Sequence, residues 1–134
     1  MPQVNIQVIG KPPSDLQKVA IFAKLTDLMV DVLGRTRKLV LVSLHSVPAS
    51  DWAVGGDVCK ADGLVGVQVV IRIIAGVNSD EQKSRMIAET TTALRNELGD
   101  PILPFYVTID EVPAAAWGYN GRTVAEIAVA KTAS

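Results

Sequence analysis

Slid along itself by 65 residues, the sequence meets its own second half without a gap. Gln3, Val4 and Ile6 fall on Gln68, Val69 and Ile71, and Ser14, Asp15, Gln17 and Lys18 fall on Ser79, Asp80, Gln82 and Lys83. Leu33-Gly34 meets Leu98-Gly99, Val47-Pro48-Ala49 meets Val112-Pro113-Ala114, Trp52 meets Trp117, and Gly56 meets Gly121. Self-similarity at a fixed period marks a duplicated supersecondary unit that buries its apolar face against its copy. The chain has 134 residues, room for one compact domain made of two such units. The expected division is repeat 1 over 2–56, a linker over 57–65, repeat 2 over 67–121 and a tail over 123–134.

Each half reads strand–helix–strand. Pro2, Val4, Ile6 and Val8 alternate with Gln3, Asn5 and Gln7, the period of a strand with one buried face. Its counterpart, from Val67 to Ile74, is apolar except at Gln68 and Arg72, which predicts cover on both faces. Both helices open with a capping box, Ser14-x-x-Gln17 and Ser79-x-x-Gln82, and both close at a glycine, Gly34 and Gly99. The second helix is expected to turn Ile87, Leu94 and Leu98 inward and Glu81, Arg85 and Glu89 outward. The first carries Val19, Phe22, Ala23, Met29, Val30 and Leu33 on one side and Ile21, Leu25, Leu28 and Val32 on another, leaving Gln17, Lys24, Asp27 and Asp31 for water. So apolar a helix predicts a subunit interface.

The closing strands are expected at Leu39–His45 and Leu103–Asp110. A helix between two strands implies a crossover and parallel pairing within each half. The fold class is therefore α/β (α+β): two β-α-β repeats forming one four-stranded mixed sheet, with both helices on one face. Its other face predicts cover from oligomerisation. In the tail, Thr123-x-x-Glu126 fits the cap of a short helix, while Val-Ala-Glu-Ile-Ala-Val fits an edge strand equally well.

Composition removes several function classes. Cys59 is the single cysteine, so no disulfide framework exists within the chain. Thirteen Lys and Arg against fourteen Asp and Glu leave a net charge of −1, without the basic stripe that a phosphate backbone demands. No apolar run reaches the roughly 20 residues of a membrane span, and the start lacks the pattern of a signal peptide. The expectation is a cytoplasmic protein without nucleic-acid or membrane partners. His45 has no second histidine or cysteine partner, so no metal site is expected. Gly55-Gly56 reads as a turn, since no helix follows it in the order a phosphate loop requires.

The Met-Pro start, the alternating Val4-Ile6-Val8, the Ser-Asp-x-Gln-Lys helix starts and the Val-Pro-Ala-x-x-Trp endings followed by glycine together resemble the tautomerase superfamily. Its members include 4-oxalocrotonate tautomerase and macrophage migration inhibitory factor, and this chain looks like a fused, tandem form. The resemblance implies a homotrimer, no cofactor, and catalysis by an N-terminal proline. Removal of Met1 ahead of a small residue would leave a secondary amine at Pro2. An α-amino group titrates at about 7.7–8.0, and burial or a nearby cation lowers it toward working pH. A base so poised is efficient at moving protons beside a carbonyl. Val67, the counterpart of Pro2, is internal and has no free amine to offer.

The resemblance also nominates groups for a small carboxylated substrate, an enol or 2-keto acid. The arginine that short tautomerases carry after the first strand is replaced by Lys11 in the first half and Val77 in the second. Their second arginine falls on Leu41 and Tyr106. Like the inhibitory-factor branch, the chain has a cation after the first helix, Arg35, and a tyrosine on the last strand, Tyr106. Lys11 or Arg35 would hold the carboxylate, Tyr106 would pack beside the substrate, and Trp52 would line the pocket mouth. Each has a plainer alternative: Arg35 as a charge at a helix C-terminus, Tyr106 as a wedge between subunits, Trp52 as an anchor. The hydratase and decarboxylase branches carry paired arginines where this chain has Ala75-Gly76-Val77-Asn78, which disfavours those chemistries. The rival to an enzyme is a catalytically silent trimeric scaffold or interaction protein on the same fold.

Overall fold

Strand β1 (Gln3–Gly10) buries Val4, Ile6 and Val8 and leaves Gln3, Asn5 and Gln7 half-exposed, following its sequence alternation. The computed structural model describes residues 2–133. Helix α1 (Asp15–Asp31) returns along the sheet to β2 (Leu41–Val47), which pairs parallel with β1. A short hairpin, β3 (Ala53–Val54) and β4 (Asp57–Val58), ends the first repeat. The second repeat follows with β5 (Leu64–Ile74), helix α2 (Asp80–Leu98), β6 (Tyr106–Val112) parallel to β5, and the hairpin β7 (Gly118–Tyr119) and β8 (Arg122–Thr123). Helix α3 (Val124–Ala133) closes the chain.

The sheet order is β2-β1-β5-β6, with β1 and β5 antiparallel. Their register sets Asn5 opposite Val70. These two are repeat mates, so an approximate two-fold passes between them and carries each half onto the other. One face of the sheet packs under both helices, where Val4, Ile6, Val8, Val69, Ile71 and Ile73 meet Ile21, Leu25, Met29, Met86 and Leu94. Among the described residues no element of the protomer covers the middle of the other face, although Ile9, at its edge beside Trp52 and the β3–β4 hairpin, is fully buried. The middle rows of that face read Leu41-Gln3-Arg72-Asp110, Ser43-Asn5-Val70-Thr108 and His45-Gln7-Gln68-Tyr106 across the four strands. Ser43 Oγ donates to Asn5 Oδ1 at 2.6 Å, and Arg72 pairs with Asp110 at 3.3 Å. The second face of β5 (Gln68, Val70, Arg72, Ile74) is therefore half-buried in the protomer, where its run of apolar residues predicted full cover.

Several local expectations shift. The closing strands begin two to three residues later than expected. A single 3-10 turn over Arg37–Leu39 occupies the approach to β2, and Pro104, which has no N–H for a ladder, lies ahead of β6. Both ends of the linker are strand: Asp57 and Val58 form β4, and β5 starts already at Leu64. Gly10 meets this stretch directly. Its φ is +97°, a Cβ there would overlap the Gly63 carbonyl oxygen, and the next residue, Lys11, donates its N–H to that oxygen at 2.8 Å.

Both capping boxes form, Ser14 with Gln17 and Ser79 with Gln82. The inward stripe of α2 is Met86, Thr90 and Leu94, at spacing four; Ile87, one residue on, is rotated about 100° away and is 38% exposed. On α1 the buried arc takes in Ile21, Leu25, Leu28 and Met29, continuing to Val32 and Leu33, because α1 packs against the sheet and against α2 together. Gln17 Nε2 ties the two helices by donating to the Glu97 carbonyl at 3.0 Å. Most of both apolar sides of α1 is thus covered within the protomer. What remains exposed is Val19 (65%) with Leu16 and Ala23. The tail resolves to the helical alternative: Thr123 Oγ1 accepts from Glu126 N–H, and the Glu126 carboxylate accepts from Thr123 N–H. Among the described residues no helix is long and apolar enough to cross a membrane.

Candidate functional site

The two-fold gives the sheet two equivalent ends. One holds Pro2 at the start of β1, and the other holds Val67, Pro2's repeat mate, in β5. Pro2 is buried, and its carbonyl accepts the N–H of Leu41 at 3.0 Å. Val67 faces Val8 across the ladder, six residues along β1 from Pro2. At about 3.3 Å per residue the two ends stand roughly 20 Å apart.

At the Val67 end an open cavity of about 360 Å³ is lined by Trp52, Val54, Gly66, Val67, Leu103 and Tyr106, among others. The sequence candidates Trp52 and Tyr106 meet here. Lys11 lies at this end too, just beyond β1, in a shallow cleft with Pro12, Gln17 and Leu98. Tyr106 is 61% exposed, beside Gln68 on the edge strand and the uncovered face. Arg35 is the candidate that shares an end with Pro2. Its neighbour Leu33 is bonded through its carbonyl to Asn78, which follows β5 at that end (3.0 Å). Arg35 Nε donates to the same carbonyl at 3.0 Å, and its N–H donates to Met29, so it also caps the helix terminus. Within one protomer, then, the fold groups Pro2 with Arg35 and separates both from Trp52, Tyr106 and Lys11.

A cavity of about 280 Å³, lined by Leu39, Tyr119, Val124, Ile127 and Lys131, lies at the Pro2 end. Leu39 stands two residues before Leu41, the donor to Pro2. Sequence reasoning did not single out these five. Their signal was the cap Thr123-x-x-Glu126, which places a helix directly after the Trp117 hairpin. Trp117 is 8% exposed, whereas Trp52 is only half-buried. Elsewhere, His45 is exposed on the open face beside Gln7, and Cys59 donates its N–H to Trp52. Among the described residues no cluster of His, Cys, Asp or Glu is arranged to hold a metal ion.

A duplicated β-α-β fold with a proline buried at the head of its first strand is matched by the tautomerase family, described as tautomerase enzymes, over residues 2–62 and again over 68–127. The chain belongs to that family. It is 29% identical to the MIF-like protein mif-2 of Caenorhabditis elegans over 121 residues, covering 90% of this chain and 94% of that protein. It is 33% identical to a probable tautomerase K2 of Dickeya dadantii (strain 3937) over 57 residues, 42% of this chain and 85% of that shorter protein. Among solved structures, a wild-type symmetric trimer of fused 4-OT superposes with a TM-score of 0.78 at 24% identity, covering 92% of this chain and 96% of that one.

Proposed function

We propose that the protein is a cofactor-free tautomerase in which Pro2, freed by removal of Met1, moves a proton between the oxygen and the carbon of a small carboxylated enol or 2-keto acid. The observation that carries this reading is the burial of Pro2 at the head of β1, with its carbonyl fixed by Leu41 and Leu39 and Tyr119 lining a cavity nearby. Apolar surroundings disfavour an ammonium form, so burial of a freed Pro2 amine would favour its basic state. The amine takes the enol hydroxyl proton as the C=O bond forms, then returns that proton to the adjacent carbon. No net redox change and no co-reactant is involved. Membership of the tautomerase family supports this chemistry.

The assembly we propose is a homotrimer, supported by the uncovered sheet face and by the trimeric state of the fused 4-OT neighbour. The exposed Tyr106, at the rim of the uncovered face, would then be available to a neighbouring copy. The separation of Lys11 from Pro2 favours a second reading, a silent trimeric scaffold.

One experiment separates them. Protein with a free Pro2 amine and protein carrying one extra residue ahead of Pro2 are assayed on phenylenolpyruvate. The free form turns over, with a rate that rises with pH through one titration. The extended form, whose proline nitrogen is an amide, is slower by at least about 10²-fold. Equal rates rule out proline catalysis; two inert but trimeric proteins favour the scaffold.

A further inference from the structure

The two ends of the sheet are repeat mates, so each shows what the other has gained. The Val67 cavity is walled in part by Val54 and Pro104. Advanced or set back by 65 residues, these positions become Tyr119 and Leu39, and both line the cavity at the Pro2 end. The remaining walls there, Val124, Ile127 and Lys131, come from α3. Helix α3 has no counterpart in the first repeat, where β4 leads through five residues, 59–63, into β5. The added element thus lies only at the end that keeps the proline. It is fastened there: Val124 donates its N–H to the Trp117 carbonyl at 2.9 Å, and the Thr123–Glu126 capping box sets its start.

We infer that α3 is a wall of the substrate pocket, that Ile127 sets the room for an apolar substituent, and that Lys131 is the cation that receives the substrate carboxylate. The inference deepens the tautomerase reading and rests on it. It names the substrate class as monocarboxylates with an apolar or aromatic tail. The chemistry of the lining is the argument: two aliphatic side chains and Leu39, one tyrosine, and one ammonium group at the end of an aliphatic stem. Lysine stems cover apolar surface while their charged heads stay in water, so such a wall suits an amphipathic acid. A dicarboxylate would leave its second charge against Ile127 and Val124, with no partner to offset its desolvation. The alternatives are placed less well, since Lys11 lies at the opposite end of β1 and Arg35 does not line this cavity.

The test reads binding first and turnover second. With Trp52→Phe, Trp117 becomes the one tryptophan, and its fluorescence follows titration with phenylpyruvate or with the uncharged phenylacetone. Lys131→Gln is expected to weaken phenylpyruvate about tenfold or more, as loss of a charge-assisted contact does, and to change phenylacetone less than about twofold. Lys131→Arg should restore most of the loss. Ile127→Phe should fill the cavity and weaken both compounds while leaving Trp117 the one tryptophan. In the active enzyme, Lys131→Gln should raise KM for phenylenolpyruvate with kcat within about twofold, the mark of lost ground-state binding. Unchanged phenylpyruvate binding in both Lys131→Gln and Ile127→Phe overturns the inference, as does a protein with Ile127 and Lys131 intact that binds neither compound. Failure of the catalytic reading looks different: Lys131-dependent binding in a protein that turns nothing over leaves the pocket and removes the chemistry.

Discussion

The Pro2 end and the Val67 end began as copies, and the structure separates what duplication preserved from what it released. Between them the core keeps its symmetry. Val4 and Ile6 are buried on one strand as Val69 and Ile71 are on the other, and Asn5 meets its own repeat mate at the centre. At the ends that symmetry stops. One end buries its tryptophan beside an added helix, while the other leaves Trp52 half-buried at an open cavity. Packing constrains every core position in both copies because a lost methylene is felt at once. An end pocket carries no such penalty, and its twin, with a peptide nitrogen where the amine would be, was free to lose its chemistry.

This contrast can be broken or sharpened by substitution in matched pairs, with stability read from urea denaturation at fixed protein concentration. Ile6→Ala and Ile71→Ala each remove a fully buried side chain at repeat-mate positions. Each should cost about 3 kcal/mol, nearly equally; a strong inequality would mean that the core is not two-fold in its energetics. Trp117→Ala and Trp52→Ala should part company, at about 3 kcal/mol for the first and roughly half that for the second. Equal losses would show that α3 adds little cover.

Thr90 is buried without a hydrogen-bond partner for its hydroxyl among the described residues, at the position where the first repeat has Leu25. Thr90→Val keeps the shape, removes the unpaired hydroxyl and should stabilise by about 1 kcal/mol. The smallest effect is expected at Lys83, which bridges α2 to β6 through Glu111 at 2.8 Å and also meets Asp80 at 3.2 Å. Its repeat mate Lys18 pairs with Asp15 at 3.9 Å, and Ser46 stands where Glu111 would be. Hydrogen bonds that Lys83 donates to Glu111 and then to Asp80 raise its pKa above the ordinary value of 10.5. A raised lysine contributes its stability fully below the ordinary value and loses it as pH climbs through the raised one. Lys83→Met should therefore lower Tm slightly at neutral pH, less in high salt, and not at all once lysine is deprotonated.

The parts legible in the sequence were those set by local periodicity and by duplication. The repeat, both capping boxes, the parallel pairing within halves and the mixed four-stranded sheet all follow from residues near one another in the chain. What escaped was set by packing at a distance. The apolar excess of α1 pointed to a subunit interface, yet α2 supplies much of its cover, and nothing in the sequence of α1 reveals its neighbour. Ile87 and Met86 are adjacent, and periodicity alone did not decide which of them faced the sheet. The site was the least legible. Pro2, Lys11, Arg35, Trp52 and Tyr106 were assembled by resemblance, but the length of β1 parts Pro2 from Lys11 and Trp52, and antiparallel β5 leaves Tyr106 at that far end too. Ile127 and Lys131 belong to a tail whose secondary structure the sequence left open.

The short connection between the repeats has a consequence for dilution. Gly10 is cut away to admit the Gly63 carbonyl, and Lys11 binds it, so the joint is stitched into the sheet rather than hung outside it. Two separately made halves would find each other only at concentrations above their mutual affinity. Tethered by so few residues, each half experiences its mate at an effective concentration on the order of millimolar, whatever the cell contains. In the proposed processed form, the ratio of amine-bearing to amine-free units is likewise fixed at one to one by the covalent chain. A reagent that consumes the free Pro2 amine should therefore saturate at one equivalent per polypeptide, with the Val67 cavity as its built-in blank.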